Sequence, residues 1–204
     1  NIGINKPILH LGRIHPDMLD TLSSTMVKCT INTPEDVLVL EKYGKSNNIR
    51  IHAHLKLDTG MTRLGVQPSL IRTCINNLLE SKWIELEGLW SHFATADENN
   101  SEFLNKQLSC FNDHIKQLKE KFDTIKYFHI APSGAILRFP DTYFNMVRPG
   151  ISLYGATPFG NSSNDLEPVM EFRAPIALIK NINPSTAVGY NRTYVSSENM
   201  KIAL

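Results

Sequence analysis

The chain has 204 residues, of which 42% are hydrophobic and 20% are charged, a composition typical of a globular protein with a full core. Its 21 Lys and Arg residues balance 20 Asp and Glu residues, which argues against a broad basic surface for nucleic acid or for an anionic membrane. The three cysteines are far apart, without zinc or disulfide spacing, and indicate a reducing cytosol. No apolar run is long enough to predict a membrane span.

Short apolar segments alternate with amphipathic ones, a pattern that predicts βα units and a parallel sheet. A helix capped by Asn32 or Thr33 follows the second strand, and two more helices are predicted from stripes that include Leu70, Cys74 and Leu78, then Phe103 to Leu118. These stripes are expected to face the core. The six predicted strands are Pro7–Leu11, Val27–Ile31, Ile49–Leu57, Glu85–Ser91, Tyr127–Ala131 and Phe144–Val147.

A polar loop at Asn161–Leu166 separates this pattern from a β-rich one, in which Ile176–Ile179 and Thr193–Val195 are predicted strands. We therefore expect an α/β domain over residues 1–168 and the start of an all-β domain over residues 169–204. Six βα units are two short of a closed barrel, so either the sheet is an open, doubly wound one or two units precede Asn1. Because the chain does not begin with methionine, we expect it to begin inside a longer polypeptide.

Polar residues follow four of the predicted strands: Lys56 and Arg63, then His92, then Ser133, then Arg148. Active sites of α/β barrels gather at the carboxyl ends of the strands, so this placement predicts one site. Each residue also has a simpler explanation. Lys56 could be an exposed lysine, His92 a structural histidine, Ser133 the N-cap of a helix over residues 133–138, and Arg148 a loop arginine.

Five segments carry these residues in order. Their sequence resembles the successive signatures of alanine racemases, and the resemblance extends from Pro7 to the last residue. It implies an eight-stranded α/β barrel followed by a β domain, with this chain holding units three to eight of the barrel. It also implies a cytoplasmic, homodimeric isomerase that interconverts L- and D-alanine through pyridoxal 5'-phosphate and supplies D-alanine for peptidoglycan. The segments are KLDTGMTRLG at 56–65, SHFATAD at 91–97, SG at 133–134, VRPGISLYG at 147–155 and VGYNRTY at 188–194.

The resemblance assigns the cofactor phosphate to Ser133, Gly150 and Ile151, whose hydroxyl and backbone N–H groups suit an anion. It assigns to Arg148 a hydrogen bond to the cofactor's ring nitrogen, which keeps that nitrogen from gaining a full proton and favours reprotonation over transamination. His92 would stack beside the ring and orient Arg148. No metal site is predicted.

The resemblance assigns the substrate carboxylate and the cofactor's phenolic oxygen to Arg63, and it makes Lys56 a candidate for carbamylation. His129 is a weaker candidate for the supporting network. The chain departs from the family pattern at Pro132, where an asparagine is usual, and at Thr62, where a glycine is frequent. The first departure bears on the phosphate site and the second on the geometry of the turn.

Racemisation needs two acid–base groups, one on each face of Cα, and the family uses a Schiff-base lysine and a tyrosine from the other subunit. Neither matches a segment of this chain, and Tyr190 and Tyr194 are not assigned to catalysis. We therefore expect these 204 residues to be inactive by themselves. The alternatives are another pyridoxal-phosphate racemase, specific for serine or broad in its specificity, and a non-catalytic module that binds the cofactor.

Overall fold

The computed structural model describes residues 3–25, 27–160 and 166–204. The chain divides into two compact units, Asn1–Pro168 and Val169–Leu204. The first unit contains β1 (Ile8–Leu9), α1 (Leu19–Ser23), β2 (Val27–Ile31), α2 (Pro34–Asn47), β3 (Ile51–Lys56), α3 (Ile71–Glu80), β4 (Ile84–Trp90), α4 (Glu102–Lys119), β5 (Tyr127–His129) and α5 (Ser133–Arg138). The second contains β6 (Ile179–Ile182), β7 (Ala187–Val188), β8 (Tyr194–Val195) and β9 (Met200–Ala203).

The first unit is built on a curled parallel sheet of five strands in the order β1-β2-β3-β4-β5, which is part of an α/β barrel. Strands β3 and β4 are almost entirely buried, because parallel strands are covered on both faces. The predicted fold class is confirmed: a partial barrel is followed by small antiparallel strands.

Helix α2 begins where the sequence predicts it. The Thr33 side chain accepts a hydrogen bond from the Asp36 N–H, and the Asp36 carboxylate accepts one from the Thr33 N–H, so both halves of a capping box are present. The stripes of α3 and α4 face the core as predicted, except at their first residues. Leu70 is 39% exposed and Phe103 is 41% exposed, because each lies at the helix entrance rather than over the sheet.

The predicted sixth strand, Phe144–Val147, is wrong. Phe144 has a left-handed backbone with φ of 47°, which interrupts an extended segment. The Asn145 side chain then takes the backbone groups that a neighbouring strand would use, accepting from the Phe128 N–H at 2.8 Å and donating to the Lys126 carbonyl at 2.6 Å. Only one parallel bridge remains, between Pro132 and Arg148.

The second unit consists of two antiparallel pairs, β6 with β9 and β7 with β8. The predicted strand at Ile176–Ile179 is wrong for all but its last residue. Ala177 and Leu178 instead share backbone hydrogen bonds with Leu204 alone, so no ladder extends through them. Most of the predicted loop at 161–166 lies outside the described residues. Within the described ranges, no helix combines the length and apolarity that a membrane crossing requires.

Candidate cofactor site

The carboxyl ends of the parallel strands bring the predicted polar residues to one edge of the sheet. Lys56 is the last residue of β3, and His92 follows the end of β4 by two residues. Ser133 opens α5 shortly after β5, and the bridge between Pro132 and Arg148 holds Arg148 beside that strand end. The site therefore has a fixed backbone frame.

Arg148 is the most constrained side chain of this edge. One terminal nitrogen of its guanidinium, Nη1, lies 2.5 Å from His129 Nδ1. The other, Nη2, donates to the Ser91 carbonyl at 2.6 Å and the Ile130 carbonyl at 3.3 Å, and it lies 3.1 Å from His92 Nδ1. Its carbon Cζ is 4.5 Å from the centre of the Trp90 ring. The arginine is thus held by four acceptors and one aromatic face.

All four acceptors are neutral, and among the described residues no carboxylate forms an ion pair with Arg148. Burial lowers the pKa of Arg148 to about 9, so the group stays a cation at neutral pH but is poorly solvated. A partly buried cation without an anionic partner is a receptor for an electron-rich or anionic ligand atom.

The two histidines that contact Arg148 are neutral. Burial, then the positive charge of Arg148, lower the pKa of His92 to about 4 and that of His129 to about 2. A guanidinium can only donate, so Nδ1 of each ring must accept and the ring proton is on Nε2. The structure brings His92 and Arg148 together, as the sequence predicts, and it gives His129 an equal part in the contact.

Ser133 lies where the donors of a following loop converge. Its Oγ accepts from the Gly150 N–H at 2.8 Å and the Ser152 N–H at 3.3 Å, and it lies 3.1 Å from Ser152 Oγ. The N-cap reading of Ser133 is wrong, because Pro132 occupies the cap and Ser133 is the first helical residue. Pro132 has no N–H, so its place in the chain adds no donor here.

The chemistry of this cluster suits a phosphate group. Two backbone N–H groups and the Ser152 hydroxyl gather around Ser133 Oγ, so an anion beside Ser133 would find up to four donors that could turn from one another to it. A Cβ at Gly150 would have only Ser133 Oγ, 3.8 Å away, within 4 Å, so the glycine leaves space above the cluster. Ile151 begins the 3-10 turn Ile151–Tyr154 beside it. Sequence reasoning missed Ser152, although it lies in the same glycine-containing segment.

Arg63 lies in an exposed loop between Asp58 and Val66. The base of the loop is closed by a bridge between Leu57 and Val66, and the Asp58 carboxylate accepts from the N–H groups of Gly60 and Thr62, both at 3.0 Å. The backbone is therefore organised while the arginine side chain extends into solvent. Its charge still reaches the site, because it lowers the pKa of both Lys56 and His92.

Lys56 is not the exposed strand-end lysine of the simpler explanation, since it is only 3% exposed. Its Nζ lies 4.4 Å from the centre of the Trp90 ring. Burial, then the charges of Arg63 and Arg148, lower the pKa of Lys56 to about 8, against a smaller opposing effect of Asp58. A measurable fraction of this amine is therefore uncharged near neutral pH.

Gln107 of α4 connects the loop that carries Arg63 with the segment that follows β4. Sequence reasoning missed this residue. Its amide oxygen accepts from the Ala94 N–H at 2.9 Å, and its amide nitrogen donates to the His92 carbonyl at 3.1 Å and to Thr59 Oγ1 at 3.2 Å. The side chain is fully buried. A signal was present: Gln107 is a polar residue on the apolar face of α4, between Leu104 and Phe111.

Comparison with known proteins identifies the family. A family model described as "Alanine racemase, N-terminal domain" matches residues 1–158.

The chain belongs to the alanine racemase N-terminal domain family.

Among curated relatives, an alanine racemase of Geobacter sp. (strain M21) is 36% identical over 208 residues, which cover 98% of this chain and 55% of the relative. The solved alanine racemase of Clostridium difficile 630 superposes with a TM-score of 0.80 at 32% identity and covers 98% of this chain and 53% of its own length. A histidine racemase of Leuconostoc mesenteroides has a TM-score of 0.77 at 22% identity, over 98% of this chain and 55% of its own, and shares the fold. The chain thus spans about half the length of these relatives.

Proposed function

We propose that the protein containing this chain is an alanine racemase that uses pyridoxal 5'-phosphate to interconvert L- and D-alanine. The observation that carries the proposal is Arg148, a partly buried cation held by neutral acceptors beside a cluster of anion donors. Family membership supports the same reaction. Pyridoxal phosphate, when bound, supplies an electron-withdrawing ring that makes the Cα proton of an amino acid acidic.

Arg148 would face the ring nitrogen of the cofactor. Because the guanidinium stays protonated at working pH and has no acceptor, it could only donate a hydrogen bond there and would keep a full proton off that nitrogen. This placement would favour return of a proton to Cα over side reactions. His92 would lie beside the ring while its Nδ1 holds Arg148.

The donors around Ser133, Gly150 and Ile151 would hold the phosphate, with Ser152 as a fourth contributor. Arg63 would pair with the substrate carboxylate, a role that bidentate guanidinium geometry favours. Lys56 would act as a carbamate: its neutral amine adds to CO2, and the resulting N-carboxylate loses one proton from nitrogen to water. The two nearby arginines would stabilise that anion.

The test uses the whole protein supplied with pyridoxal phosphate and L-alanine in D2O. We expect the optical rotation to decay to zero and deuterium to appear at Cα, which requires proton exchange on both faces. Cofactor binding without exchange would favour the non-catalytic module. Faster exchange with serine, histidine or several amino acids than with alanine would favour another racemase. The same assay on Ser133→Ala at increasing cofactor concentration tests the phosphate site, because the variant is expected to need more cofactor.

We also propose that residues 1–168 form the cofactor-binding part of the barrel and residues 169–204 the start of the β domain. The 204 residues alone are expected to leave alanine unchanged in the same assay, because no residue of the described site is assigned to either acid–base role. Family resemblance supports a cytoplasmic homodimer whose D-alanine serves peptidoglycan. Sedimentation of the whole protein tests the dimer, and dependence of growth on added D-alanine after gene deletion tests the pathway.

A further inference from the structure

Behind the histidine that holds Arg148 lies a second buried histidine, His54 of β3. His129 presents Nδ1 to Arg148 at 2.5 Å, and its opposite ring nitrogen, Nε2, lies 2.9 Å from His54 Nδ1. His129 is fully buried and His54 is 2% exposed. Arg148, His129 and His54 therefore form a continuous chain of hydrogen bonds from the site into the interior of the first unit.

Only one arrangement of protons satisfies this chain. Arg148 has no acceptor, so His129 Nδ1 accepts and the single proton of the neutral ring is on Nε2. That Nε2–H must donate to His54 Nδ1, which places the proton of His54 on its own Nε2. Burial lowers the pKa of His54 to about 4, against the raising effect of Glu87 and with the lowering effects of Lys28 and Arg148, so the ring is neutral at pH 7.

The sheet is shaped to admit the His54 ring. The register between β3 and β4 shifts between Ala53 and His54, and the residue opposite His54 is Gly88. A Cβ at Gly88 would overlap the His54 ring, so any other residue there would force the imidazole away from His129. Tyr127 stacks on His54 with ring centres 5.6 Å apart and an interplanar angle of 17°.

Within the described part of the chain, the contact with His129 is the one hydrogen bond of the His54 ring. Among the described residues, His54 Nε2 is buried and has no hydrogen-bond partner. A buried donor without a partner is costly, and a structure retains one only where another contact compensates. Here the compensating contact is the acceptor that Nδ1 offers to His129.

We propose that His54 is a positioning residue for Arg148: by accepting the Nε2 proton of His129, it keeps His129 Nδ1 unprotonated and directed at the guanidinium. The proposal rests on the proposed function, since it concerns the arginine that would face the cofactor. His54 itself would touch neither cofactor nor substrate. Arg148 already favours the His129 tautomer with its proton on Nε2, and His54 would reinforce it, because without His54 Nδ1 the buried Nε2–H of His129 would lack an acceptor.

Two substitutions separate positioning from packing. In His54→Asn, the amide oxygen Oδ1 replaces Nδ1 as an acceptor at a similar distance from the backbone, but the smaller polar side chain packs poorly. In His54→Leu, the apolar side chain fills more of the space but offers no acceptor. If His54 acts only through packing, His54→Leu should retain more activity than His54→Asn. If it positions His129, His54→Asn should retain more activity than His54→Leu. His114→Asn on α4 is the control, since His114 has no contact with Arg148.

The primary measurement is 15N NMR of the histidine side chains in the whole protein, which distinguishes protonated from unprotonated ring nitrogens. We expect His129 to show one tautomer, with its proton on Nε2, in the wild type, in His54→Asn and in His114→Asn. In His54→Leu we expect a mixture of tautomers. In the racemisation assay we expect kcat to fall about tenfold or more in His54→Leu and less in His54→Asn, with KM for the amino acid changed less than twofold.

A single, unchanged tautomer of His129 in His54→Leu would overturn the proposal. So would a higher kcat in His54→Leu than in His54→Asn, in the order of their thermal stabilities. Because the NMR result needs neither substrate nor turnover, it stands even where the protein racemises nothing. The inference about His54 and the proposed reaction can therefore fail separately.

Discussion

The two arginines of the site are held in opposite ways. Arg148 donates to two backbone carbonyls, contacts two histidine nitrogens and lies over Trp90, whereas Arg63 extends from an exposed loop whose order is confined to its backbone. Under the proposed function, Arg148 would contact the ring of a bound cofactor, where fixed geometry is an advantage. Arg63 would contact each substrate molecule as it binds, and it could keep its freedom until then. The difference predicts that Arg148 governs turnover and Arg63 governs substrate affinity.

The largest effects are expected when each arginine is replaced by lysine in the whole protein, which tests the predicted difference between them directly. Arg148→Lys cannot reach several acceptors with one ammonium group, so we expect kcat to fall by about a hundredfold or more. Arg63→Lys keeps the charge and loses only the bidentate geometry, so we expect KM to rise about tenfold with a smaller change in kcat. Steady-state kinetics measures both, and equal effects of the two variants on kcat would contradict the contrast.

Gln107→Leu tests whether the base of the Arg63 loop and the loop of His92 share one support. The change leaves the Ala94 N–H and the His92 carbonyl without their partner, so we expect the free energy of unfolding to fall by about 1–2 kcal/mol. Urea denaturation measures this loss. Gln117→Leu, an exposed position on the same helix, is the matched control and should stay within about 0.5 kcal/mol of the wild type. Equal losses of unfolding free energy in both variants would show that Gln107 does not support the two loops.

Lys56 lies between the two arginines, and its lowered pKa predicts how stability depends on pH. From about pH 8 to pH 10.5 the native state has released the lysine proton while the unfolded state still holds it, so the contribution of Lys56 to the free energy of unfolding rises with pH. Lys56→Met should therefore be more stable than the wild type by roughly 1–2 kcal/mol at pH 7, and this difference should shrink between pH 8 and 10.5. Denaturation in CO2-free buffer measures it.

Lys106→Met is the control for Lys56→Met, because Lys106 is exposed and forms only a surface ion pair with Glu102. It should leave the pH profile of the wild type unchanged. A difference between Lys56→Met and the wild type that stays constant from pH 7 to pH 10.5 would mean that Lys56 does not contribute to the pH dependence.

The smallest expected effect concerns the tip of the Arg63 loop. Thr62 has φ of 55°, a conformation that β-branched residues rarely adopt, so Thr62→Gly should relieve strain and raise the free energy of unfolding by up to about 1 kcal/mol. Thr73→Gly, at an exposed position within α3, should instead lower it by a few tenths of a kcal/mol. Thermal denaturation measures both, and a loss of stability in Thr62→Gly would show that the threonine side chain stabilises the loop.

Local pattern predicted most of the first unit, because short strands rich in apolar residues alternate with helices that carry apolar stripes, and α2 begins with a capping box. The observed bounds of Val27–Ile31 match the predicted ones, and Thr33, one of the two predicted caps of α2, is the N-cap in the structure. Phe144–Val147 was mispredicted because a side chain, Asn145, replaces the backbone partner that a strand would need. These hydrogen bonds of Asn145 depend on the position of β5, which a local sequence pattern does not contain.

The sequence by itself determined the class of the fold, the order of the strand ends and the residue types that meet there, because each follows from periodicity or from a short motif. Only the tertiary structure decided that Lys56 is buried, that Ser152 contacts Ser133, and that His129 contacts both His54 and Arg148. The physical reason is that burial and hydrogen-bond partnership belong to pairs of residues from different strands and loops. A proton's position on a histidine ring is fixed by such a partner, and no local pattern contains it.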